Sequence, residues 1–292
     1  MPRILIIGKN SFIGKNYREY SKNSSIDEVD AKQYKPEELN FEGYDVVLHL
    51  AAIVHQSGNI GLEEYTRVNT HLPVALAEQA KMAGVGQFIF MSTSKVYGKY
   101  NPAMGSWTED SPCSPANYYG ISKLQAELEL LKLNDISFQV SIIRTPMVYG
   151  RGVKANMLSL IKLVDGLPLL PFKRVNNRRS LTFAGNLAAY IDRIIELKTQ
   201  GVFIAMDAYS PSTEELIVSI AAALGKNTRL FSPGRLALNL GKHFFRGYYE
   251  RLYLDEVLDN TKTLELLSIT PPYSLEEGMA DTISSYLQLK EK

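Results

Sequence analysis

Tyr119 and Lys123 stand four residues apart in the run Tyr119-Gly-Ile-Ser-Lys123, the spacing that puts two side chains on one helix face. An ammonium beside a phenol favours the phenolate and lowers a pKa that starts near ~10. Such a tyrosine can exchange protons with a hydroxyl near neutral pH. The adjacent Tyr118 has no lysine at the same interval. A second group follows Phe88-Ile-Phe-Met91, an apolar run that reads as a buried strand and delivers Ser92-Thr93-Ser94 at its carboxyl end. Open α/β sheets bind ligands at that end, so a hydroxyl there can bond the oxygen that Tyr119 protonates or deprotonates.

A phosphate-binding loop precedes these residues. The apolar Ile4-Leu5-Ile6-Ile7 stops at Gly8 and continues Lys9-Asn10-Ser11-Phe12-Ile13-Gly14 into a helical stretch. Glycine at a strand's end lets backbone N–H groups approach a pyrophosphate, glycine at the helix start permits close packing, and the helix N-terminus favours the anion. Ser11 stands where a middle glycine is usual. Asp30 falls at the end of the second strand, where a carboxylate would hold the adenosine ribose hydroxyls; Asp27 is the poorer candidate. Lys32 could instead take a 2′-phosphate, so NAD is favoured with NADP as the alternative.

These groups need a parallel sheet to hold them. Short apolar runs at 3–7, 26–30, 45–50, 87–92 and 138–143 alternate with helical spacing at 12–21, 62–82 and 117–133, the pattern of β-α units. Only a loop or a single turn fits between Asp30 and Asp45. The expected fold is α/β, a Rossmann-type doubly wound parallel sheet over residues 1–150 with a smaller, interleaved C-terminal substrate lobe over 151–292. Helices at 186–197 and 213–224 flank a strand at 202–205, and the stretch from about 180 to 205 returns to the first domain.

Composition excludes other classes. The 292 residues are 45% hydrophobic and 22% charged, which rules out disorder as the main state. With 32 basic and 31 acidic residues the net charge is +1, leaving no field to hold nucleic acid. One cysteine, Cys113, excludes an internal disulfide. His49, His55, His71 and His243 lack metal-ligand spacing, so no metal is expected. His49 reads as a hydrogen-bonded core residue; His55 reads as a loop surface residue, with reach to the sugar as the lesser alternative. No window approaches the ~18 apolar residues of a membrane span, and a cytoplasmic protein is expected. The stretch 241–254 mixes aromatics with Lys242, Arg246 and Arg251; a partly buried segment near a ligand or subunit contact is favoured over a membrane-surface helix.

Taken together, the motifs resemble the extended short-chain dehydrogenase/reductases of the NAD-dependent epimerase/dehydratase family, which act on nucleotide sugars. The matching segments are 8–14, Asp45-Val-Val-Leu-His-Leu-Ala-Ala52, Asn69, 88–98 with Val96-Tyr97-Gly98, Tyr119–Lys123, 144–152 with Val148-Tyr149-Gly150, and Arg179-Ser-Leu181. They keep the family's order, and Asp259-Asn-Thr-Lys262 and 271–278 extend it to the carboxyl end. The resemblance implies Thr93 as hydroxyl partner, Tyr119 as acid/base and Lys123 as its activator, with the same ammonium holding the nicotinamide ribose. It places Gly8, Asn10, Ser11, Phe12, Ile13 and Gly14 at the pyrophosphate, Leu50, Ala51 and Ala52 beside the adenosine half, and Asn69 and Pro146 along the cofactor. Asn156, Arg179 and Arg251 are implied as contacts to the substrate's phosphates, a task that suits arginine's planar fork. Arg174 and Arg178 read as a solvated face.

Departures narrow the reaction. Sugar dehydratases of this family carry Asp-Glu after the active-site threonine; here Ser94 and Lys95 follow, which speaks against 4,6-dehydration. Met147 replaces an asparagine common in epimerases, and Asn186 replaces an aspartate, a change expected to touch only local scaffolding. The resemblance implies a C4 epimerase of a UDP-hexose or UDP-N-acetylhexosamine, working by hydride removal and return through a bound 4-keto sugar. The alternatives are an NAD(P)H-dependent reductase of a UDP-4-keto-6-deoxy-N-acetylhexosamine and a non-catalytic dinucleotide-binding protein. It also implies a homodimer formed through 62–82 and 117–133.

Overall fold

The computed structural model describes residues 1–30, 36–54, 60–99, 105–234, 243 and 246–291, the side chains of 246, 248 and 251 excepted. Lys32 and His55 lie outside these residues. So do the side chain of Arg251 and most of 241–245.

A six-stranded parallel sheet forms the centre, in the order β2 (Ile26–Val29), β1 (Ile4–Ile7), β3 (Val46–His49), β4 (Gln87–Thr93), β5 (Gln139–Thr145) and β9 (Gly201–Ile204). Alternate residues serve opposite faces, as strand geometry requires. Ile4, Ile6, Val46, Leu48, Ile89, Met91 and Ile143 pack on one side with α1 (Phe12–Tyr20) and α6 (Ala184–Leu197). Leu5, Ile7, Val47, Phe88, Phe90, Val140 and Ile142 pack on the other with α3 (Leu72–Met82) and α4 (Tyr118–Leu131). Both faces are covered, which is why these strands read as continuous apolar runs. Strand order reverses between β1 and β3, and the crevice at their carboxyl ends is where doubly wound sheets take ligands.

The predicted helix over 62–82 is three pieces. α2 (Leu62–Thr66) runs into a π-turn at Arg67–His71 and then α3, with Pro73 at its start. Proline lacks an N–H and cannot continue the regular ladder, and the wider turn absorbs the mismatch. Between Asp30 and Asp45 the described chain makes one 3₁₀ turn, Pro36–Glu38.

The second hydrophobic cluster joins Met157, Ile161 and Val164 of α5 (Ala155–Gly166) to Leu216, Ile217 and Ile220 of α7 (Thr213–Ala223) and to Met279 and Ile283 of the C-terminal helix Leu275–Lys290. Two of these helices begin with reciprocal capping boxes, Ser212 with Glu215 and Ser274 with Glu277, each satisfying otherwise unpaired backbone donors. A two-stranded pair, β6 (Met147–Tyr149) with β8 (Leu181–Phe183), connects this cluster to the sheet. Met147 is half-buried on that pair. Among the described residues no helix is long and apolar enough to cross a membrane.

Candidate active site

The first β-α turn is built for close approach. Gly8 has φ +132°, and a Cβ there would stand 3.0 Å from the Ala51 nitrogen and 3.2 Å from the Leu50 carbonyl carbon, so the loops after β1 and β3 touch through this glycine. Asn10 takes the left-handed conformation at φ 63°. Ser11, in place of a middle glycine, is the N-cap of α1: its backbone is extended, and its hydroxyl accepts the Gly14 N–H at 3.0 Å. Phe12 and Ile13 complete the first turn, whose end favours an anion.

Two carboxylates close the adenosine side. Asp30 leaves β2 half-buried. Glu28, which the sequence did not single out, points into the loop: its Oε2 accepts the Asn10 N–H at 3.4 Å. Its Oε1 is buried without a hydrogen bond among the described residues, with the Arg18 guanidinium 4.0 Å away. A buried acceptor beside a glycine turn fits a ribose hydroxyl, and two carboxylates at that edge repel a 2′-phosphate. The cradle therefore fits a nicotinamide dinucleotide.

Asn69 sits on the π-turn, fully buried. Its amide bridges the loop after β3 to the catalytic helix, with Oδ1 accepting Ile53 N–H at 2.8 Å and Nδ2 donating to Ile53 O at 2.9 Å and Ser122 Oγ at 3.1 Å. It acts here as a clamp on the cofactor-side loop. Pro146 is buried between β5 and β6.

α4 carries the candidate pair Tyr119 and Lys123. Asn117 caps it, accepting the Gly120 N–H at 2.8 Å. A Cβ on Gly120 would meet the Lys95 carbonyl oxygen at 2.5 Å, so this glycine lets the helix lie against the turn after β4. That contact brings Tyr119 into a hydrogen bond with Thr93. Thr93 Oγ1 also accepts the Lys95 N–H at 3.3 Å.

The expected depression of the phenol pKa is not what the geometry produces. Burial pushes Tyr119 up to about 12, against the opposing hydrogen bond to Thr93. Lys123 is 2% exposed, donates to the Met91 carbonyl at 2.7 Å and sits 4.1 Å from the centre of the Phe90 ring. Burial lowers its own pKa to about 7, with Glu127 acting in the other direction. His49 lies in the same layer, stacked near Phe88 and Phe90. It is a core residue, but neither ring nitrogen has a hydrogen bond among the described residues, so the hydrogen-bonded reading was wrong in that respect. Burial and the lysine's charge hold it neutral, with a pKa of about 3.

Across the cleft, Arg179 donates to Glu256 Oε2 at 2.6 Å and to the Leu254 carbonyl at 3.1 Å. Glu256 also accepts from Lys95 Nζ at 2.6 Å and Ser94 Oγ at 3.0 Å. The two residues that stand in place of a dehydratase's acids are thus tied to a carboxylate from the far end of the chain. Sequence reading missed Glu256 because nothing local marks it. Asn156 is exposed on the first turn of α5, and Arg174 and Arg178 are exposed. Arg251 falls within the helix Arg246–Tyr253. Asn186 is scaffolding: it donates to Asp207 Oδ1 at 2.7 Å and to the Tyr273 carbonyl at 2.9 Å. Burial raises the Cys113 thiol.

Comparison with known proteins agrees with this geometry. Residues 4–204 match the model of the NAD dependent epimerase/dehydratase family. A UDP-glucose 4-epimerase of Vibrio cholerae is 37% identical over 265 residues, covering 87% of this chain and 80% of the relative. The N-acetyl-alpha-D-glucosaminyl-diphospho-ditrans,octacis-undecaprenol 4-epimerase of Escherichia coli O157:H7 is 26% identical, covering 76% and 72%. A dTDP-4-dehydrorhamnose reductase from Clostridium acetobutylicum superimposes with a TM-score of 0.76 at 21% identity, covering 98% of this chain and 99% of that one.

Proposed function

The chain belongs to the NAD-dependent epimerase/dehydratase family, and on that premise we propose that it interconverts the C4 epimers of a UDP-hexose or UDP-N-acetylhexosamine through a 4-keto sugar. The observation that carries this reading is the hydrogen-bonded pair Tyr119 and Thr93, with Lys123 one turn along α4, at the carboxyl end of β4. The 37% identical UDP-glucose 4-epimerase supports the same chemistry.

When bound, NAD supplies the hydride acceptor and, oxidised, a positive charge in the site. Tyr119 takes the proton of the sugar's 4-hydroxyl as that carbon is oxidised and returns it when the ketone is reduced from the opposite face. With its pKa raised to about 12, the phenol at rest is a proton donor, and added positive charge is what makes it a base. Thr93, already accepting the Lys95 N–H, directs its own O–H toward the same oxygen. Arg179 has both terminal nitrogens engaged, by Glu256 and the Leu254 carbonyl, so it would meet the diphosphate only by exchanging one of these partners, with Asn156 and Arg251 as further phosphate contacts. Ser94 and Lys95, both bonded to Glu256, carry no carboxyl group, so these two positions do not provide the acid pair that dehydratases of the family place after the threonine.

Denaturing the purified protein and identifying the released nucleotide tests this. Near-stoichiometric NAD, together with interconversion of UDP-glucose and UDP-galactose or of their N-acetylated forms, is the expected result. Protein that arrives empty, takes up NADPH and reduces a UDP-4-keto-6-deoxy-N-acetylhexosamine would replace this reading with a reductase. Dinucleotide binding without turnover of either sugar would leave a non-catalytic protein.

A further inference from the structure

Directly beneath the reacting pair lies a second buried cluster that the mechanism above does not use. Glu127, one turn past Lys123 on α4, is 1% exposed, and Arg144 of β5 is 6% exposed. The guanidinium grips the carboxylate at two points, Nη2 to Oε2 at 2.6 Å and Nε to Oε2 at 3.1 Å and Oε1 at 3.2 Å. Ser92 Oγ donates to Oε1. The remaining guanidinium nitrogen donates to the Glu109 carbonyl at 3.2 Å, and the group stacks over Tyr97 at 4.9 Å. Ser92 lies between Met91, whose carbonyl receives Lys123, and Thr93, whose hydroxyl bonds Tyr119. One carboxylate therefore fixes α4, β4 and β5 to each other under both members of the pair.

The charges around Lys123 give this node a second consequence. From α4 it faces Glu127; from β4 the Phe90 ring and the Met91 carbonyl; from β3 the neutral His49; and behind Glu127 stands Arg144 of β5. Among these groups Glu127 is the anion.

We propose that Glu127, held by Arg144 and Ser92, is a positioning residue that locks α4 onto β4 in the Tyr119–Thr93 register and supplies the counter-charge that keeps the Lys123 ammonium protonated in the interior. Burial of an ammonium disfavours its charged form, and an opposite charge one helical turn away restores it. Removing the carboxylate's charge while keeping its shape therefore moves the loss of activity with rising pH to lower pH. The inference rests on Tyr119 and Lys123 being the reacting pair.

The test measures kcat for UDP-hexose interconversion against pH, on NAD-loaded protein, for wild type, Glu127→Gln, Glu127→Asp and the charge-balanced double variant Glu127→Gln/Arg144→Met. The double variant covers the case in which Glu127→Gln leaves Arg144 unpaired and does not fold. Expected is an alkaline limb displaced downward by about one pH unit in Glu127→Gln, with an approximately tenfold loss above the limb, and by less in the double variant, which loses a cation together with the nearer anion, with Glu127→Asp close to wild type. Profiles of Glu127→Gln or the double variant that overlay wild type, whatever their height, overturn the inference. Tyr119→Phe and Lys123→Met separate the two levels. If they keep full activity, the assignment of the pair fails; if they abolish it while the limb stays in place, only the role of Glu127 fails.

Discussion

At the scale of single residues, burial acts against the charged form of both members of the proposed pair. Burial raises Tyr119 to about 12 and lowers Lys123 to about 7. Both shifts arise from desolvation of the charged form; added positive charge would bring the phenol down, while the ammonium depends on the Glu127 carboxylate to stay protonated. Tyr119→Phe removes the proton carrier while keeping the ring that packs the cleft. Its kcat should fall by roughly 10²–10⁴-fold, the range of general acid–base catalysis, while the NAD released on denaturation stays at the wild-type level. A loss of bound NAD in parallel with kcat would show instead that the hydroxyl serves the cofactor site.

At the scale of elements, the decisive fact is how near α4 comes to the turn after β4. The Gly120 position tolerates no side chain, because the obstructing atom at 2.5 Å is the Lys95 backbone oxygen and cannot swing aside. Gly120→Ala should force the helix outward and break the Tyr119–Thr93 hydrogen bond. We expect at least a tenfold fall in kcat and a lower melting temperature, the cost of overpacking being about 1–3 kcal/mol. Unchanged kinetics with lowered stability alone would mean that the register survives a shifted helix. Much of this layer was legible from local pattern: Tyr119 and Lys123 declare a shared face by spacing, and the strand before Thr93 is an unbroken apolar run. The π-turn was not, because its cause is one proline inside an otherwise helical stretch. The three-residue strands β6 and β8 were not, because partners 34 positions apart define them (Met147 with Leu181). Glu28, Glu127 and Glu256 look like any surface glutamate in sequence and acquire meaning only from tertiary neighbours such as Asn10, Arg144 and Arg179.

At the scale of the whole molecule, a buried carboxylate, Asp207, and a half-buried one, Glu256, tie segments beyond residue 150 together and to the sheet, and their charges are balanced in opposite ways. Asp207 accepts Tyr149 Oη at 2.9 Å, Phe183 N–H at 2.8 Å and Asn186 Nδ2 at 2.7 Å. These donors are all neutral, so burial dominates and raises its pKa from 3.8 to about 6. The folded protein holds that proton more tightly than the unfolded chain, and stability falls as pH rises from about 4 to 6. Glu256 faces Lys95 and Arg179, and these cations hold its carboxyl below the ordinary value despite burial. Its contribution has the other sign, present at neutral pH and lost as pH falls through the carboxylate range. Asp207→Asn keeps two accepting bonds on its oxygen and lets the Tyr149 hydroxyl turn to accept from the amide. It should raise stability at pH 7 by an amount on the order of 3 kcal/mol, a gain that closes by pH 4. Glu256→Gln should lower stability at pH 7 by about 1–2 kcal/mol, because it leaves Arg179 and the partly solvated Lys95 without their counter-charge, and that gap should narrow toward pH 4. Urea unfolding of the three proteins from pH 4 to 7 reads both slopes in one experiment. Differences of the same sign in the two variants would mean that the junction responds to lost packing and not to its charges.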